Sequence, residues 1–143
     1  MPEQNDFNAH TIDEFRANEG KVGGYFEGAT MLLLHTKGAK SGLPRTNPLV
    51  YLPNGDRYVV IASKGGAPTH PDWYYNLLAD PDAEIEVGTE RIPVRATIIT
   101  GPERDELYAR QVVRRPGFAD YEKKTTRKIP VIALEPVTEG DRA

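Results

Sequence analysis

A chain of 143 residues is one domain's worth of protein, long enough to bury roughly two-thirds of its unfolded surface, and its 27% charged residues are ordinary for a globular fold. A formal net charge of −3 argues against a nucleic-acid partner, and the lack of cysteine excludes a disulfide framework, a thiol nucleophile and a zinc–thiolate site. No run approaches the ~18 apolar residues of a spanning helix, and Met1–Asp6 lacks the basic and apolar regions of a signal peptide, so the cytoplasm is the expected compartment.

In chain order, residues 1–10 are polar and read as loose. Thr11-Ile12-Asp13-Glu14 has the form of a capping box, which predicts a short helix from Thr11 that ends near Gly20. Gly20–Gly28 is too rich in glycine to continue it and reads as a flexible lead-in or a cover. Met31–Thr36 is the first core strand. The loop after it, Lys37–Arg45, carries Lys37, Lys40 and Arg45 among glycines and Ser41, a composition suited to phosphate or carboxylate; a solvated hairpin tip with basic residues is the alternative. It is not a Walker loop, because Ala39 stands before Lys40 where that motif needs a glycine.

A second strand is expected over Thr46–Leu52, and the Asn54-Gly55 turn leads into a third over Arg57–Ala62. The stretch Ala62–Asn76 then crosses a Gly/Pro-rich turn with Lys64, enters a helix with Pro71 as its first residue, and places Trp73 one turn later. Strand, tight loop, lysine and aromatic form a floor suited to a planar anionic ligand; a plain strand-to-helix connection is the alternative. Asp80-Pro81 stops that helix.

Ala83–Val87 alternates as a strand, and Gly88 turns it into Arg91–Thr100, where Pro93 suggests an edge or a bulge. Thr100–Glu103 caps a helix through Gln111, Pro116-Gly117 breaks the chain, and Asp120–Lys128 is a polar segment. Pro130–Glu135 is the last strand, and Thr138–Ala143 reads as a frayed tail. Six strands in hairpins, with helices between them, predict an α+β fold on a small, mostly antiparallel barrel. One domain spans 1–143, with residues 1–28 ahead of a barrel core over 29–136.

The residues supply no self-sufficient chemistry. His10, His35 and His70 lack metal-ligand spacing and suit solvent or turn roles. Ser41 and Ser63, the only serines, sit in no nucleophile elbow, and Glu84 and Glu86 point to the solvent face of a strand. Redox work here needs a bound cofactor.

Three linked motifs carry a resemblance: Thr36–Leu49, Ala62–Gly66 and Pro71–Leu77, joined by Phe15–Asn18 and Arg127–Val131. Together they resemble the deazaflavin-dependent nitroreductase family of actinobacteria, which uses coenzyme F420. The resemblance implies a split β-barrel like that of flavin-binding pyridoxamine-oxidase relatives, with coenzyme F420 as cofactor and FMN as second choice. It implies that Lys40 and Arg45 meet the phosphate and glutamate tail, with Ser41, Asn47 and Pro48 of the same motif in the cofactor site. Ser63, Lys64 and Gly65, between Ala62 and Gly66, would lie along the ring, and Trp73 would wall its pocket. Tyr121, or a water near Ser63, is the expected proton donor. Relatives that reduce nitroimidazoles carry tyrosines before the last strand; Tyr121 fits one such position, while Phe118 and Arg115 stand at the others. Quinone reduction is therefore the reaction the resemblance favours, with a small-molecule acceptor, a monomer or homodimer, and peripheral membrane contact through residues 1–28. The alternative is a small barrel that binds an anionic ligand without catalysis.

Overall fold

The computed structural model describes residues 2–21, 30–66 and 69–137. Most of the glycine-rich lead-in and the tail from Thr138 therefore lie outside the described residues. The strands are β1 (Met31–Lys37), β2 (Pro44–Val50), β3 (Leu52–Asn54), β4 (Arg57–Ile61), β5 (Asp82–Val87), β6 (Glu90–Ile99) and β7 (Val131–Pro136). They form one antiparallel sheet in the order β2-β1-β5-β6-β7-β4-β3.

That order forces closure. The edge strands β2 and β3 are consecutive in the chain, separated only by Tyr51. Seven flat strands would hold their edges roughly 29 Å apart, whereas the two Cα steps from Val50 to Leu52 cover at most about 7.6 Å. The sheet must curl until its edges meet at that corner, which makes a barrel split along one side. The single strand expected over Thr46–Leu52 is thus two strands. Tyr51 marks the corner: its N–H donates to Thr30 O (3.0 Å) and its carbonyl accepts from Thr30 Oγ1 (2.7 Å).

Alternation sorts the side chains into layers. Leu32, Leu34, Val60, Ile85, Val94, Ile132 and Leu134 fill the barrel. Helix α2 (Asp72–Ala79) packs Trp73 and Leu77 into that interior. On the outside, α3 (Gly101–Arg114) and α4 (Gly117–Lys124) cover Val59, Val131 and Ala133. Helix α1 (Pro2–Ala17) covers Met31 and Leu33 with Phe15. No helix among the described residues is long and apolar enough to cross a membrane.

Several local expectations are corrected. Helix α1 runs through Thr11 instead of starting there, so residues 2–10 are helical and Thr11 is a buried mid-helix residue. Pro71 is the N-cap of α2, with φ −68° and ψ 154°, and the helix begins at Asp72. The polar segment from Asp120 is largely α4. Pro93 lies in an interior strand. Its carbonyl accepts from Val137 N, so its missing N–H also faces the β7 side, where the ladder ends at Val94–Pro136 and little is lost.

Glu86 is not a solvated carboxylate. It accepts from Arg16 Nη2 of α1 (2.8 Å), lies 2.5 Å from His35 Nε2 of β1 and 3.6 Å from Arg91, and its side chain is 14% exposed. The hydrogen bond from Arg16, and then that to His35, hold its carboxyl below the usual carboxylate range despite burial. A depressed carboxyl contributes stability that is full above its unfolded pKa and is lost as pH falls through the folded one. Glu86→Gln should therefore cost about 1–2 kcal/mol near neutral pH. The melting-temperature gap to wild type should close on acidification below the carboxylate range, and a gap constant with pH would remove Glu86 as the titrating anchor of α1.

Candidate functional site

The β1–β2 connection is built to present polar groups. Gly38 N donates to Leu43 O (2.8 Å), Gly42 N donates to Gly38 O (2.9 Å), and Gly42 takes φ +71°, which glycine adopts without strain. Ser41 Oγ accepts from Leu43 N (3.1 Å) and stands 3.5 Å from Arg45 Nη2. The loop is pinned from behind by the buried Asn76 of α2. Its Oδ1 accepts from Ala39 N (2.9 Å) and its Nδ2 donates to Thr36 Oγ1 (3.1 Å).

This loop, α1, α2 and the edge strand β2 enclose a cleft of about 1090 Å³. Lys40, Ser41, Arg45 and Asn47 line it, facing Ile12 of α1 and Asp72 and Tyr75 of α2. The cleft wraps the sheet edge: Thr46 pairs with His35 on the α1 side, while Arg45 and Asn47 pair with Thr36 and Leu34 on the barrel side. Its donor set of an ammonium, a guanidinium and a hydroxyl suits a chain of negative charges, and the volume exceeds the roughly 300–1,000 Å³ common for compact ligands. One carboxylate, Asp72, opposes that polarity. Lys37 and Pro48 are not part of the lining; Pro48 is half-buried opposite Leu33.

The Ala62–Gly66 segment lies elsewhere, against α4. Ala62 and Ser63 are buried, Lys64 is exposed at φ +48°, and Gly66 N donates to Ser63 O (2.9 Å). Gly66 sits at φ +84°, and a Cβ there would come within 2.9 Å of Lys124 Cβ and 3.0 Å of Tyr121 O. Only glycine fits, and the turn is therefore pressed onto the helix that carries Tyr121. Tyr121 packs on Phe118 (5.0 Å between ring centres) and borders a second cavity of about 310 Å³ with Arg114, Arg115 and Gly117.

Trp73, expected to wall a pocket, is 5% exposed in the barrel core and absent from the lining of either cavity. The aromatic that does reach the cleft is Tyr75, 45% exposed. Its ring centre lies 5.8 Å from that of His70, and His70 Nδ1 is 2.8 Å from Arg127 Nη1. Arg127 in turn donates to Ala62 O (3.1 Å) and Ser63 O (2.7 Å). The cleft and the turn are therefore connected through Tyr75, His70 and Arg127. Sequence reading missed Asn76, Tyr75 and Arg127 as site residues. Asn76 alone left a signal, as the polar member of the buried 73/76/77 face of α2.

A model of the F420H(2)-dependent quinone reductase family matches residues 9–136. An F420H(2)-dependent quinone reductase of Mycobacterium tuberculosis is 42% identical over 124 residues, 84% of this chain and 83% of the relative. A solved F420-H2 dependent reductase (FDR-A) superposes with a TM-score of 0.68 at 38% identity, covering 74% of this chain and 94% of the other. A structure described as a domain-swapped dimer gives 0.69 at 34% identity, covering 94% and 96%.

Burial makes Trp73 a packing residue first. Trp73→Ala should cost about 3–5 kcal/mol in chemical denaturation, while Trp73→Phe, which keeps an aromatic in the core, should cost less than half of that. A loss under 1 kcal/mol for the alanine variant would contradict the core placement.

Proposed function

The chain belongs to the F420H(2)-dependent quinone reductase family, and on that premise we propose that it reduces a quinone-type acceptor, binding F420 across the basic cleft and the Ala62–Gly66 turn. The observation that carries this reading is the cleft itself, where Lys40, Ser41 and Arg45 converge beside an edge strand in a volume suited to a long acidic tail. Lys40 and Arg45 bind the tail by charge, and Ser41 adds a hydroxyl. Ser63, Lys64 and Gly65 orient the ring, with the flanking Ala62 and Gly66 fixing the turn. When bound and reduced, the deazaflavin supplies a hydride from its central ring carbon.

The acceptor enters over the α4 side, where Phe118 and Tyr121 exclude water and the Tyr121 hydroxyl, or a water near Ser63, delivers the proton that accompanies the hydride. Asn47 and Pro48 hold the edge strand that borders the cleft. Trp73 acts on this site from beneath, through the packing of α2. The domain-swapped relative motivates a homodimer as part of the same reading, and contact of residues 1–28 with a membrane surface belongs to it through the resemblance alone.

Fluorescence titration tests the proposal. F420 should bind, FMN should not compete at similar concentration, and reduced F420 should turn over with menadione. Binding without turnover would favour the non-catalytic carrier. Lys40→Ala and Arg45→Ala should each weaken full-length F420 by no more than about 1.5–3 kcal/mol, and by less where water screens the loop. The loss should shrink with added salt. A ring-only analogue without phosphate and glutamates should be nearly indifferent to both changes; equal losses would show that these residues do not read the tail.

A further inference from the structure

The link between α4 and β7 holds the end of β4 twice: Pro130 O accepts from Ala62 N (3.0 Å), and the Arg127 side chain reaches the turn beyond it. Arg127 Nη2 donates to Ser63 O (2.7 Å), and Nη1 donates to Ala62 O (3.1 Å) and faces His70 Nδ1 (2.8 Å). Ser63 O also accepts from Gly66 N (2.9 Å), so one carbonyl closes the turn from within and is gripped from outside. The next residue, Lys64, takes φ +48°, a left-handed conformation that is unfavourable for a non-glycine residue and persists where neighbours fix it.

A guanidinium has no acceptor. The Nη1–Nδ1 approach is therefore a hydrogen bond only if His70 Nδ1 carries a lone pair, which makes the imidazole neutral with its proton on Nε2. Protonating Nδ1 would remove the bond and place two cations 2.8 Å apart. Among the described residues, those found against the His70 ring are Arg127, Tyr74 (4.8 Å between ring centres) and Tyr75 (5.8 Å), and none of them is a carboxylate.

We propose that Arg127 is a positioning residue for the turn that carries the deazaflavin ring, and that neutral His70 is the third anchor of its grip, so that protonation of His70 loosens the turn and weakens cofactor binding. Burial first, and then the Arg127 charge, push His70 below the usual histidine value, so the grip is complete at neutral pH and fails only on acidification. The proposal rests on the ring lying along Ser63–Gly65, and its test has an arm that needs no cofactor.

In the free protein, nitrogen-15 NMR of the imidazoles across pH 5–8 should show His70 with Nδ1 unprotonated and Nε2 protonated at pH 7, titrating below pH 6.5 (the ordinary histidine value). His70 protonated on Nδ1 at pH 7, or titrating above the ordinary value, would overturn the proposal and leave the family-level reading standing. In the second arm, wild-type affinity for F420 should fall below the His70 midpoint, by up to about tenfold per pH unit, as one linked proton requires. His70→Asn, whose amide oxygen can still accept from Arg127, should retain the neutral-pH affinity and lose this acid dependence. An unchanged acid limb in His70→Asn would overturn the linkage. Arg127→Lys keeps a cation and loses the fork, and should speed amide exchange of residues 63–66 in the free protein while raising the Kd for F420. If Arg127→Lys does not fold, the His70→Asn profile still decides. Absence of F420 binding at any pH, with the His70 tautomer as expected, would reject the assigned cofactor and this positioning role together, while unchanged exchange and affinity in Arg127→Lys would reject the role alone.

Discussion

The adjacency of the two edge strands in the chain governs this fold. Val50, Tyr51 and Leu52 carry the backbone from one sheet edge to the other, so closure of the barrel is a consequence of chain connectivity before any side chain packs. Closure gives an interior that only apolar side chains can fill. It also leaves an outer surface that needs covers wherever strands are buried on both faces, as β1 and β7 are. Helices α1, α3 and α4 supply those covers. The outer edge of β2 borders the basic cleft, in the position where a sheet otherwise needs a charge, a proline or a lid to protect it. Pro44, Pro48 and the Lys40/Arg45 pair meet that need and also shape the cleft.

Three polar side chains then tie elements around the barrel to one another. Glu86 ties α1 to β1, Asn76 ties α2 to the basic loop, and Arg127 ties the last link to the end of β4 and the start of α2. A neutral hydrogen bond is worth about 1 kcal/mol net, and one to a charged group about 1.5–3 kcal/mol. Leaving such a group unpaired costs more than forming the bond returns, so these contacts specify geometry more than they stabilise it. They also explain why the cleft and the Ala62–Gly66 turn, which share no lining residue, hold a defined relation. Arg127 and His70 span the gap, and Tyr75 carries the connection to the cleft.

Most of the barrel was legible in the sequence because its signals are local. Asn54-Gly55 and Gly88 mark turns, with φ of +61° and +60° at the two glycines, and Ala83–Val87 alternates as a half-buried strand must. The basic loop was legible for the same reason, since Lys40, Ser41 and Arg45 lie within six positions of one another. The misses needed partners far away in the chain. The split at Tyr51 follows from sheet order, and Trp73 looks the same in sequence whether it walls a pocket or fills a core. Arg127 is 64 positions from the Ser63 carbonyl that it holds, and no periodicity announces such a contact.

The two halves of the proposed site therefore obey different physics. Exposed cations such as Lys40 and Arg45 attract an acidic chain over a Debye length of about 8 Å, tolerate variation in its path, and weaken with salt. Hydride transfer tolerates little, because the reacting atoms must approach to roughly 3–3.5 Å in the right orientation. The conformational restriction is found on the corresponding side of the molecule. Lys64 is held at φ +48°, Gly66 has no room for a Cβ, and the Ser63 carbonyl is bonded from two directions. In the proposed reading the loop that collects charge supplies affinity and the turn held in one shape supplies orientation, with the left-handed Lys64 part of that shape.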